Sequence, residues 1–298
     1  MKRVLIILVL FGALRPHSLY AKDKVEKCEK HTQVGDECII DVDKLHPTQF
    51  AVGMEEVLCR KEKLEKKDRH NKLEEYLAEK PAPIVRGLNN AFYLTDHHHL
   101  AVALANAHVK DSKKEMHAIL KADFSDSKSS GEFWRRMQDH GFVWLKDNNG
   151  QVRSPDEIPN QVRSMSDDPM RTLSAWVGDS CGYVKCDDEH CRPMSDNEKI
   201  CGKPLFLEFR WADYLRQVEG VRDRVGNDTD CTQRDLETLT CLKAQHSKLA
   251  KAFPPAMQAV ANAKAKDDVG QASGYNPNAP QPSSPPPDCL DSTGAEND

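Results

Sequence analysis

Ten cysteines stand in this chain, the first of them at Cys28, and what they can become depends on the residues that open it. Met1-Lys2-Arg3 is a short basic start. An apolar run follows from Val4 to Leu14, and Ser18-Leu19-Tyr20-Ala21 is a small-residue exit. That order of basic, apolar and cleavage regions reads as a secretory signal over residues 1–21. The run is too short to span a bilayer, which takes roughly 20 apolar residues. No other stretch is long and apolar enough, so no membrane span is expected. The mature chain is read as secreted or otherwise extracytoplasmic. In such a compartment an even number of cysteines implies disulfides, with the pairing open.

The same reading alters the charge. The full sequence holds 42 Lys and Arg against 47 Asp and Glu. Removing Lys2, Arg3 and Arg15 with the signal leaves 39 basic side chains against 47 acidic ones, a net −8. An acidic surface repels a phosphate backbone on average, which argues against chromosomal DNA as a partner.

The cysteines cluster before residue 60, between 181 and 201, and after 230, so the middle of the chain must fold on its own core. Residues 22–40 read as an N-terminal extension, 41–225 as the main domain, 226–264 as a C-terminal helical part and 265–298 as a disordered tail rich in Pro, Ser and Asn. Within the main domain, Val42 and Leu45 suggest a short strand stopped by Pro47. Met54 to about Glu79 has helical spacing, with a break near Asp68. Pro81 and Pro83 end it. Ile84-Val85 and Ala91–Leu94 read as strands about a turn at Arg86–Asn90. Thr95-Asp96 can cap a helix from His97 to about Asn106. Lys114–Phe124 reads as a strand, Glu132–His140 as a helix ended by Gly141, and Phe142–Leu145 as a strand before a tight turn at Asp147–Gly150. Pro155–Met165 and Pro169–Val177 read as short helices, Phe206–Val225 as one amphipathic helix and Asp230–Phe253 as another. The expected class is α+β, a small mixed sheet with packed helices and a cysteine-stapled helical C-terminal part.

Leu94-Thr95-Asp96-His97-His98-His99 is the stretch richest in chemistry. It places three imidazoles in the first turn of a helix, where unpaired N–H groups and the positive end of the dipole attract phosphate or carboxylate. That field disfavours protonated histidine, and neutral imidazoles serve as general bases or metal ligands. Successive helical residues point about 100° apart, so one metal cannot take all three. A divalent metal here would draw on Asp96, His46 or His108. Alternatively one ring packs, one caps and one is solvated. Arg210 and Asp213 form a second candidate, three residues apart on a helix. Glu55 and Glu56 open the first helix and could supply a base. Cys181, Cys186, Cys191 and Cys201 lie beside His190 but lack the short Cys-x2-Cys pairs of convincing zinc sites, so disulfides are expected there. Asn227-Asp228-Thr229 is a glycosylation sequon.

Several pieces in order carry a resemblance: Leu45-His46-Pro47-Thr48-Gln49 with Val52-Gly53, Pro83-Ile84-Val85, Tyr93 to Ala101, Glu132-Phe133-Trp134, and Phe209-Arg210-Trp211-Ala212-Asp213. Over roughly residues 41–225 the chain resembles the ParB/sulfiredoxin-like superfold, and more closely the bacterial ParB-like nuclease family. The resemblance implies a small mixed sheet and a helix start at Asp96–His99 that holds nucleotide phosphates or another anion. The superfold hosts triphosphatases, a kinase, sulfiredoxins and proposed nucleases, so fold alone does not select a reaction. Sulfiredoxins need a cysteine beside the motif, and this chain has none there.

Two functions follow as expectations. In the first, an exported ParB-like protein takes a phosphorylated or nucleotide ligand. Thr95, Asp96, His46, Arg210 and Asp213 bind it, and one of His97, His98 and His99 is catalytic in hydrolysis or phosphoryl transfer. In the second, the same scaffold is a non-catalytic, disulfide-stabilised secreted binding protein.

Overall fold

The computed structural model describes residues 25–183, 191, 206–226, 231–263, 280–286 and 289–292. The signal at 1–21, Cys186, Cys201 and the sequon at Asn227 lie outside them. Five strands form the main sheet: β1 (Glu37–Asp41), β2 (Leu45–His46), β4 (Ala82–Arg86), β5 (Phe92–Leu94) and β6 (Glu115–Asp123). Their order is β1-β6-β4-β5-β2. The β1–β6 and β4–β5 pairs are antiparallel, and β4–β6 and β2–β5 are parallel, so the sheet is mixed as expected. A separate parallel pair joins β3 (Ala51–Val52) to β7 (Ser166–Asp167). The organised part begins earlier than the sequence reading placed it, because β1 starts at Glu37, inside the stretch read as an extension.

Both faces of the sheet are covered, and the strands alternate accordingly. Ile84, Phe92, Leu94, Ala118 and Leu120 face a core shared with α1 (Met54–Arg69), α2 (Leu73–Ala78) and α3 (His98–Asn106). Val85, Tyr93 and Ala122 face the other way, onto Phe133 and Met137 of α4 (Ser130–Asp139). Gly87 lets Tyr93 and Phe133 close on the backbone, since a Cβ there would stand 2.6 Å from the Tyr93 ring. A second core joins α5 (Pro169–Asp179), α6 (Leu207–Gln217), α7 (Glu219–Val225) and α9 (Thr240–Asn262) around Trp176, Tyr183, Trp211, Phe253 and Met257. It crosses the boundary read at residue 225. The short α8 (Asp235–Thr238) precedes α9, and α10 (Cys289–Ser292) lies against α1.

Four local expectations are corrected. Phe142–Leu145 is not a strand, because its backbone finds single partners, Trp144 N–H donating to Thr48 C=O and Leu145 C=O accepting from Arg153. Pro155–Met165 is not one helix but two 3-10 turns, at Pro155–Glu157 and Val162–Ser164. Phe206–Val225 breaks at Val218, which is extended (φ −80°, ψ 107°). Asp230–Phe253 breaks at Leu239, whose φ is +58°, and α9 then runs past Pro254 and Pro255 to Asn262. Each interior proline costs a helix about 3 kcal/mol. Ala256, Met257 and Val260, all fully buried just beyond them, offset that cost.

Cysteine pairs at disulfide geometry are Cys28–Cys38, Cys59–Cys289, Cys181–Cys191 and Cys231–Cys241. Cys181 thus meets Cys191 directly, without a metal between them. Cys59–Cys289 reaches into the stretch read as a tail and fixes Leu290, 8% exposed, in the main core. It closes a separation of 230 residues, whereas the other three each close 10. In the chain-entropy account, the long closure stabilises by roughly 5 kcal/mol and a short one by roughly 3 kcal/mol. Urea unfolding of paired Cys→Ser variants should therefore show a larger loss for Cys59/Cys289 than for Cys28/Cys38. The reverse order would contradict a denatured-state origin for the stabilisation.

Candidate functional site

β5 delivers the chain to the start of α3. Thr95 is used locally, its N–H and hydroxyl both donating to Pro83 C=O at 3.0 and 3.1 Å. Asp96 accepts from the His97 N–H at 2.6 Å. The expected cap shifts by one residue, since the N-cap is His97 itself, in the left-handed region at φ +65°, with no side-chain cap bond. A non-glycine residue there is uncommon and marks an over-determined turn.

The three histidines then part ways. His98 is buried, and its Nε2 accepts from the Thr48 N–H at 3.1 Å. His99 is buried, and its Nε2 accepts from the Gly53 N–H at 2.9 Å. Both lone pairs are therefore committed to backbone. Burial pushes His98 down to about 3 and holds His99 well below the usual imidazole range, with Arg171 and Arg60 adding to the effect on His99. Neutral rings are what these acceptor roles require. As general bases, His98 and His99 would first have to release the loop they hold.

His97 differs. Its side chain is one-third exposed, and its Nδ1 is enclosed without a hydrogen-bond partner. Burial lowers its pKa, Asp96 opposes this, and the positive charges of Arg60 and Lys80 lower it further. Arg60, on α1, also has an enclosed Nε without a partner. The start of α3 thus carries an imidazole of lowered pKa within the electrostatic reach of Arg60 and Lys80. Neither cation is conspicuous in the sequence. Arg60 sits in a charge-rich helix, and Lys80 precedes a proline.

The remaining expected site residues do not join the histidines. His46 stacks on Tyr93 at 5.1 Å, and Tyr93 packs with Phe133 and Trp134 against the core on the other sheet face. His108, past the C-terminal end of α3, faces Glu65 and Glu237. Asp213 pairs with Arg216 at 2.7 Å and Lys146 at 2.5 Å, in place of Arg210. Among the described residues no three His, Cys, Asp or Glu side chains are arranged to hold a metal ion.

A polar junction lies behind His99. Glu56 accepts from Arg171 at 2.8 Å and stands 3.6 Å from His99 Nε2. Arg171 also faces Glu208 at 3.9 Å. Burial would lower the Arg171 pKa, but Glu56 and Glu208 outweigh it and keep the guanidinium charged. Asp168 caps α5 and pairs with Arg216. Asp167 accepts from the N–H groups of Met54 and Cys231 and from Gln245, and burial pushes it up to about 7. The Asp168-Pro169 start was a legible capping signal. Nothing in the sequence brings Arg171 to Glu56, which is 115 residues away.

Residues 38–217 match the family described as "Putative ParB-like nuclease", and since that is more than half of the chain, this protein belongs to that family. It is similar to the crystal structure of protein Atu1540 from Agrobacterium tumefaciens, with a TM-score of 0.51 and 27% identity, over 80% of this chain and 97% of that one. A comparison with curated proteins finds no match.

Replacing His98 or His99 with Ala should cost about 2–4 kcal/mol each, from the cavity and the orphaned N–H. The unfolded His98 titrates near 6.5 and the folded one near 3. Its contribution is therefore present above pH 6.5 and is lost as pH falls from there towards 3. The stability difference between wild type and His98→Asn, measured by urea unfolding, should shrink steadily on acidification through that window. A constant difference would mean that His98 does not fold as a neutral acceptor.

Proposed function

We propose that this ParB-like protein is exported and binds a phosphate-bearing ligand, a nucleotide or similar compound, at the start of α3. The observation that carries this reading is His97. It stands at the N-terminus of a nine-residue helix with an enclosed, unpartnered Nδ1, in the electrostatic field of Arg60 and Lys80. A helix start with free N–H groups and two nearby cations attracts a dianion. His97 is the one histidine of the three whose chemistry is not already spent on backbone. In hydrolysis or phosphoryl transfer it is the candidate base, and the ligand would supply any divalent metal together with its phosphates.

Export is supported by the leader and by cysteine pairs at disulfide geometry. No helix among the described residues is long and apolar enough to cross a membrane. The second reading, a non-catalytic binding protein, is favoured by the commitment of His98 and His99 to Thr48 and Gly53. It shares the same binding site.

Calorimetry with ATP, ADP and inorganic phosphate, with and without Mg²⁺, tests both readings. His97→Ala and Arg60→Ala should each weaken binding about 10-fold or more, while thermal unfolding stays near that of wild type. Turnover that His97→Ala abolishes would select the enzyme, and binding without turnover the carrier. No binding of any of the three ligands would reject the proposal.

A further inference from the structure

The second half of α1 carries unbalanced charge. Lys61 is paired with Glu65 at 3.0 Å, and Asp68 with Lys113. Lys63, Lys66, Lys67, Arg69 and Lys72 face no carboxylate among the described residues, and they line one groove whose near end is Cys59. Its acids are Glu62 and Glu65, the latter already engaged by Lys61. Lys63, Lys67 and Lys80 also crowd one ring, with their ammonium groups 5.3, 5.4 and 5.6 Å from the Tyr76 centroid. Cations gathered this closely repel one another unless an anion is near. In a protein of net negative charge this surface calls for an acidic occupant.

The chain brings one to the spot. Cys59 is bonded to Cys289, and α10 packs on α1 with Leu290 buried. The bond therefore ties the start of α10 to the near end of the groove. Residues 288–298 hold Asp288, Asp291, Glu296 and Asp298 and no Lys or Arg. The lengths agree as well. From Cys59 to Arg69 a helix rises about 15 Å, and six extended residues beyond Ser292 reach about 20 Å. A tether this short raises the local concentration of the segment to the millimolar range, so even weak pairing gives substantial occupancy.

We propose that the acidic segment Asp291–Asp298 docks in the basic groove of α1, held at its mouth by the Cys59–Cys289 disulfide. The groove is then shielded by the chain's own carboxylates, and an outside polyanion must displace them. The contact is electrostatic, so added salt weakens it as the screening length shrinks from about 10 Å at 0.1 M towards about 3 Å at 1 M.

Zero-length carbodiimide crosslinking of the oxidised wild-type protein at low salt, read by peptide mass spectrometry, tests this without any variant. Links from Lys63, Lys66, Lys67 or Lys72 to Asp291, Glu296 or Asp298 are expected, several-fold weaker in 1 M NaCl, with Lys61–Glu65 as the internal control. A control link without tail links overturns the proposal. The triple change Asp291→Asn, Glu296→Gln, Asp298→Asn should raise the salt needed to elute the protein from heparin. Equal retention overturns it. So does wild-type binding to phosphatidylglycerol vesicles that the variant does not exceed, since the groove would then stand open to outside anions.

Discussion

Two backbone N–H groups, those of Thr48 and Gly53, are accepted by the Nε2 atoms of His98 and His99, and the rest of the arrangement hangs on those bonds. A buried N–H left without an acceptor costs about 1–3 kcal/mol. Gly53 is the N-cap of α1 and has no side chain to cap with. The first N–H groups of α1 are therefore served from far away in sequence, by His99 and by Asp167, which takes Met54. The same glycine admits Thr172, whose hydroxyl would lie 2.5 Å from a Cβ placed there. The starts of α1, α3 and α5 are thus locked at one point. The sheet edge joins them through Thr48, whose hydroxyl donates to Leu94 C=O.

That lock explains what could and could not be read from the chain. The strands about Arg86–Asn90, the break in the first long helix and the apolar helix after the histidines were legible, because each has its own period and its own stop. The histidines were legible as a helix start but not as separate roles. Helical geometry says that they diverge, and only the loop at 48–53 says what two of them meet. The flanking sequence did carry a hint: Leu100 to Ala105 is apolar all round, a helix to be buried on every side. Histidines at its head are then drawn into the core with it. Phe142–Leu145 misled for the opposite reason. Its apolar run looks like a strand, but Phe142 turns to Phe124 and His140, and Trp144 to Phe206 and Phe209, so the side chains find partners where the backbone finds no neighbouring strand.

The junction between the two cores is polar, and its charges are those that periodicity cannot reveal. Glu56–Arg171, Asp168–Arg216 and Asp167, its carboxyl pushed up to about 7, sit where α1, α5 and α6 meet. Buried ion pairs are weak contributors to net stability, because desolvation offsets much of their attraction. Removing one partner is costly all the same, so they oppose any other packing of the C-terminal helices on the sheet. The junction thereby helps fix the position of α1, which carries Arg60, a charge felt by His97.

These constraints meet at the start of α3. Burial keeps His98 and His99 neutral across the physiological range, so the potential there does not fluctuate with their protonation. What remains is fixed in place: the helix dipole, Arg60 and Lys80, and a His97 whose own pKa is lowered. With His98 and His99 held neutral, the start of α3 suits a ligand that brings its own negative charge, and it suits poorly a mechanism that needs those two histidines to exchange protons. Asp167, which burial pushes up to about 7, lies instead at the junction of the two cores.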